Sequence, residues 1–164
     1  MTTQADFTEE EWARLERAPI VAGMAISLAD PGGPIELFKE TKATLQVVGE
    51  EAQAGAHGDL AGAVAKSIAE KAQKHENPVG DFKPKGTMAG EQILDELRGV
   101  NALLTEKATR EEADGFRDWL RAAAQNAAKA AKEGGFMGFH AVRVSEGEQQ
   151  MLEKLGEVLS APAA

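Results

Sequence analysis

The stretch TREEADGFRDWLRAAAQNAAKAAKE, Thr109 to Glu133, decides the fold. Thr109 and Glu112 have the spacing of a capping box, in which a hydroxyl and a carboxylate satisfy each other's backbone amides in a helix's first turn. Beyond the cap, Phe116, Leu120, Ala123, Ala127 and Ala130 share one helical face, so a helix is expected from Arg110 to Glu133. Gly134-Gly135 ends it. Alanine along that face lets another helix backbone come close, either from this chain or from a second copy.

The same periodicity extends in both directions. Upstream, Ile93, Leu97, Val100 and Leu104 mark a fourth helix, and Leu60, Val64 and Ile68 mark a third, with Asp59 as its expected cap and an end near Gln73. A second helix is expected over Pro34 to Ala54, its apolar stripe made of Ile35, Phe38, Leu45 and Val48, after the stop signal Asp30-Pro31-Gly32-Gly33. The first begins at Glu9, behind the cap Thr8 with Glu11 and a packing pair Phe7–Trp12. Pro19 lacks an amide hydrogen, so this helix should kink or break near Arg17 to Ala18. Its second half, Ile20 to Ala29, is apolar all round and belongs in the middle of a bundle. Downstream, Ser145 and Glu148 cap a last helix bearing Leu152, Leu155 and Leu159.

These elements predict an all-α protein, a compact bundle of five to six helices forming a single domain over residues 1–164. Residues 1–6 and 160–164 are expected to fray, and 75–87, with two Pro and two Gly, form the longest irregular connection. An apolar helix, a Gly-rich break and a capped amphipathic helix occur twice, at Ile20 to Val48 and Ala122 to Leu159. Two packed helical hairpins related by a pseudo-repeat would give that pattern.

At 164 residues the chain can bury a real core, and 43% apolar with 27% charged residues is a globular composition. The net charge of −9 repels phosphate backbones, and the only local basic run, Lys83-Pro84-Lys85 beside Phe82, is too short to track one, so no nucleic-acid partner is expected. Twelve uncharged residues, Ala18 to Ala29, fall short of the roughly twenty that span a bilayer. The absence of Cys and of a basic flank leading into an apolar run points to the cytoplasm.

The run Glu133-Gly134-Gly135-Phe136-Met137-Gly138-Phe139, followed by Val142-Arg143-Val144-Ser145-Glu146, resembles a group of uncharacterised bacterial helical proteins. The opening Phe7-Thr8-Glu9-Glu10-Glu11-Trp12 and the segment Ala18-Pro19 to Ala25 resemble it too. More distantly, the helix, Gly loop and Val-Ser-x-x-Glu helix are similar to the tellurite-resistance TerB family. That resemblance implies divalent-metal binding and a stress response, and the matching positions are Asp30 with Glu36, and Glu133 with Glu146 and Glu148. Here Pro31 stands where that family has Gly, and aromatic residues are inserted in the second loop.

As chemistry, Glu133, Glu146 and Glu148 offer oxygen ligands for a hard cation, but Glu146 and Glu148 equally suit a helix N-terminus. His57, His75 and His140 lie in separate loops, and the serines Ser27, Ser67, Ser145 and Ser160 have no evident base, so neither a zinc site nor a nucleophilic triad is read and no cofactor is expected. The segment Phe136, Met137, Phe139, His140 and Val142 is too apolar for an ordinary surface loop. It either closes the end of the bundle or faces a partner. The resulting expectation is a non-enzymatic helical interaction or scaffold protein that self-associates or joins a larger assembly, with a TerB-like metal or small-ligand binder as the alternative.

Overall fold

The structure, a computed structural model, describes residues 1–29, 34–132 and 144–162. Among them are six α-helices and no strand: α1 Glu9–Ala29, α2 Pro34–Ala54, α3 Asp59–Gln73, α4 Ala89–Lys107, α5 Arg110–Lys132 and α6 Glu146–Val158. The all-α bundle read from periodicity is therefore the fold. Three capping boxes recognised in sequence are formed, by Thr8 with Glu11, Thr109 with Glu112 and Ser145 with Glu148. Phe7 packs on Trp12 with ring centroids 5.8 Å apart.

Helix α5 is the axis of the packing, touching each of the other five helices. Of the face that the sequence marks, Phe116, Leu120, Ala123 and Ala127 are buried and Ala130 is half-buried, with Trp119, Ala124 and Ala128 buried beside them, and the small residues admit α1 and α2, its most extensive neighbours. Leu15 and Ile26 of α1, Leu60 of α3, Ile93, Leu97 and Leu104 of α4 and Leu155 of α6 join the same hydrophobic cluster. Both helical pairs that look alike in sequence, α1 with α2 and α5 with α6, are in contact. Their meeting is unequal among the described residues, since α2 lies along α5 far more than α6 lies along α1.

Four local expectations need correction. First, of the kink or break expected near Arg17 to Ala18, the break does not occur: α1 runs through Pro19 as one helix. The lost hydrogen bond and ring clash cost about 3 kcal/mol in an isolated helix, but Leu15, Ala18, Val21 and Ala22 are packed on both sides of the proline and hold the helix together. Second, the N-cap of α3 is Gly58, at φ +99°, a conformation that suits a residue without Cβ, and Asp59 is already inside the helix. Third, α2 buries Val48 of its apolar stripe but leaves Phe38 and Leu45 uncovered. Phe38 is 69% and Leu45 48% exposed, while Glu40, Thr44, Val47, Val48 and Glu51 form the buried face. Fourth, the apolar half of α1 is not enclosed on all sides, since Leu28 is 42% exposed and Ile20 and Met24 are half-buried.

The segment between α3 and α4 is irregular, as its Pro and Gly content requires, but it is fastened to α1. The Phe82 ring packs against the core, and the Arg17 guanidinium lies over it, 6.0 Å from the centroid. Arg17 Nε in turn donates to Glu96 of α4 at 2.8 Å. At the N-terminus, where fraying is expected, a short 3-10 turn spans Gln4–Asp6, and Thr2 bonds Glu112 of α5 through both its amide and its hydroxyl.

Candidate functional site

The third and fourth of these differences meet at one place. On α1 the half-buried Ile20, Met24 and Ser27, the exposed Leu28 and the buried Gly23 face Thr41, Thr44 and Leu45 of α2, and Phe82, Lys83 and Pro84 close the third side. These are the described residues that line an open cleft of about 420 Å³. That size lies within the range of small-molecule sites, which are concave, mostly apolar and furnished with few polar groups.

The walls differ in how firmly they are held. Gly23 sets the distance between α1 and α2, because any Cβ there would strike Thr44 Oγ1. Thr44 is fixed in turn, its hydroxyl donating to the backbone oxygen of Glu40 at 2.9 Å. Beneath the floor the Ser27 hydroxyl donates to the Glu40 carboxylate, a side chain only 2% exposed. The hydroxyls of Ser27 and Thr44 thus spend their hydrogens on Glu40, and with Thr41 as the third hydroxyl among the described lining residues the cleft presents mainly carbon. Lys83 stands exposed at the rim, with no acidic side chain in ion-pair range among the described residues.

The remaining buried acids are committed to structure. Glu16 accepts from Ser67 at 2.6 Å and pairs with Lys71, and Ser67 also accepts from Trp12 Nε1 at 3.3 Å, which ties α1 to α3. Glu51 takes the His57 amide at 3.0 Å and its Nδ1 at 2.7 Å, closing the turn between α2 and α3. Burial pushes the Glu112 carboxyl upward, but four hydrogen bonds from the amides and hydroxyls of Thr2 and Thr109 outweigh it and hold the group at about 2.

Of the metal candidates, Asp30, Glu133 and the side chain of Glu36 lie outside the described residues. Glu148 is buried and serves the cap of α6, and Glu146 is exposed in the same first turn. Among the described residues no three acidic or histidine side chains come together in a way that holds an ion. The interaction candidates Phe136, Met137, Phe139, His140 and Val142 also lie outside the described residues. No described helix is long and apolar enough to cross a membrane.

Sequence reading missed the cleft, although its parts were visible. Phe38 and Leu45 were read only as part of α2's apolar stripe, and Lys83 beside Phe82 was weighed only as a phosphate track. The usable signal was the excess: α1 is apolar on more sides than a bundle can cover. Compared with family models, with curated proteins and with solved structures, the chain matches none.

Proposed function

We propose that the protein is a non-enzymatic binding protein whose helical bundle holds an apolar group in the cleft between α1 and α2. One observation carries this reading: Leu28 and Leu45 remain 42% and 48% exposed on facing helices, around a cavity of about 420 Å³. A helical protein of this size has polar residues available for such positions, and apolar area left in a concave site is area a ligand can remove from water. Of the two expectations drawn from sequence, the small-ligand binder is thus favoured over the scaffold, without the metal that the TerB resemblance implies.

The test is titration with N-phenyl-1-naphthylamine, an uncharged fluorophore that brightens in apolar surroundings. One site per chain is expected. Leu28→Asp and Leu45→Asp, each on an exposed side chain, should weaken it at least tenfold with unchanged helicity. Binding that ignores both substitutions refutes the reading.

Self-association is a second reading, favoured by Phe38, 69% exposed on α2 and one helical turn from Thr41 of the cleft. Sedimentation over a hundredfold concentration range, with Phe38→Ser as control, decides it. A monomer throughout removes it.

A further inference from the structure

We infer that residues 77–85 form a hinged strap that carries one wall of the cleft and is latched by Phe82 beneath Arg17, so that filling the cleft and closing the strap favour each other. The inference rests on the cleft being the binding site and adds how that site is closed. The way the strap is fastened carries it.

Its ends are tied by hydrogen bonds and its middle is not. Behind α3 the Glu76 amide donates to the Lys71 carbonyl oxygen at 2.9 Å. Ahead of α4, Lys85 exchanges two bonds with the Gln92 side chain, its amide donating at 3.1 Å and its carbonyl oxygen accepting at 3.3 Å. Between these ties the chain bonds only itself, the Gly80 amide donating to the Asn77 carbonyl oxygen and the Val79 amide to Asn77 Oδ1. Among the described residues no hydrogen bond joins 77–84 to a helix. Phe82 is the one side chain of the strap that packs against the hydrophobic core, and Phe82, Lys83 and Pro84 are the strap residues that line the cleft. A wall held by one ring moves before the helices do, because segments with few buried contacts open at low free-energy cost.

Hinges and latch are both present. Gly80 at φ +63° and Gly86 at φ +69° stand on either side of the ring, in open space and in a backbone region that glycine enters and leaves freely. A few such positions suffice to absorb the rotation of a closing segment. The latch is the Arg17 guanidinium, 6.0 Å from the Phe82 ring centroid and itself held by Glu96 at 2.8 Å. Arg17 is not among the described residues lining the cleft, so its loss reaches the occupant only through the strap. An occupant touches Phe82, Lys83 and Pro84 only while the strap is down. By linkage, occupancy therefore holds the strap shut, and a strap held shut raises affinity.

Trypsin reads the strap directly. It cuts after Lys85 but is blocked after Lys83 by Pro84, and where opening is fast the rate of cutting follows the open fraction. The full chain is digested free and saturated with N-phenyl-1-naphthylamine, and the Lys85–Gly86 bond is followed by mass spectrometry. The fluorophore should slow that cut about fivefold or more, and Leu28→Asp should abolish the protection. In the free chain Arg17→Gln should speed the cut about three- to tenfold with unchanged helicity, whereas Arg17→Lys, which keeps a cation over the ring, restores most of the resistance. Arg14→Gln removes the other guanidinium on Glu96, at 3.1 Å, and should leave the rate as it is. Fluorophore binding without protection of Lys85–Gly86 overturns the strap and leaves the cleft standing. So does an Arg17→Gln chain cut no faster than the unaltered one, or equal slowing at Lys129–Ala130 of α5, which marks stabilisation of the whole fold. A fluorophore that does not bind removes the cleft reading and this one with it.

Discussion

At the scale of single residues, the site depends on a contact that only one side chain permits. Gly23 lets α1 approach Thr44 of α2, and a methyl group there would collide with Thr44 Oγ1 and turn it off the Glu40 carbonyl. Gly23→Ala should therefore destabilise the fold by about 1–3 kcal/mol, the usual cost of overpacking, read as a lower urea midpoint. Adding Thr44→Ala, which removes the colliding oxygen, should return part of that loss, and no recovery would show that the contact is not the cause. Glu112 gives a second residue-scale prediction. Its folded-state value, about 2, lies below the usual 4.5, so its contribution to stability is complete above about pH 4.5 and is lost as pH falls toward 2. Glu112→Gln should flatten the decline in stability across that window. Asp6, lowered by its bonds from Thr3, and Glu11, lowered first by Lys107, titrate in the same sense and should preserve some of the slope.

Whole elements were legible in sequence wherever local chemistry and packing agree. α5 shows this best, because its capping box and apolar face are fixed by residues a few positions apart, and the packing around it uses that face. α6 is set the same way. Ser145 accepts the Glu148 amide at 3.2 Å and Glu148 accepts the Ser145 amide at 3.0 Å, so Ser145→Ala should cost about 1 kcal/mol, checked by thermal melting, with Ser145→Asp nearly neutral. Sequence failed at α2. A stripe through Phe38 and Leu45 is a proper amphipathic pattern, but the face opposite it carries Glu40, Thr44 and Glu51, whose burial depends on partners far away in the chain or around a turn. Ser27 serves Glu40 and His57 serves Glu51. No count of apolar positions reveals that such pairs will form. The cleft stayed hidden for the same reason: two apolar surfaces were visible, but whether they meet each other or leave a gap is decided by Gly23 and by Phe82 docking under Arg17.

For the whole molecule, the question is whether the helices stand or fall together. One cluster of buried side chains runs from Phe7 and Trp12 through Leu97 and Leu120 to Leu155 and Leu159. The two tryptophans report on different parts of it: Trp12 bonds Ser67 on α3, and Trp119 packs edge-on against Phe116 within α5, ring centroids 5.3 Å apart. A continuous core of this size predicts one cooperative transition. Trp12→Phe and Trp119→Phe variants, each leaving a single reporter, should give fluorescence curves in urea that coincide with the loss of far-ultraviolet dichroism of the same variant. Native-state hydrogen exchange resolves the order inside that transition. α5 touches every other helix, so its central amides, around Leu120 and Ala123, should open only with global unfolding. α6 is the shortest helix and has few neighbours, so its amides should exchange through a lower-energy local opening. Fluorescence and dichroism curves that separate would mean that the α1–α3 side and α5 are distinct cooperative units. In that case the cleft between α1 and α2 would lie within a part of the protein able to open independently of the bundle's axis.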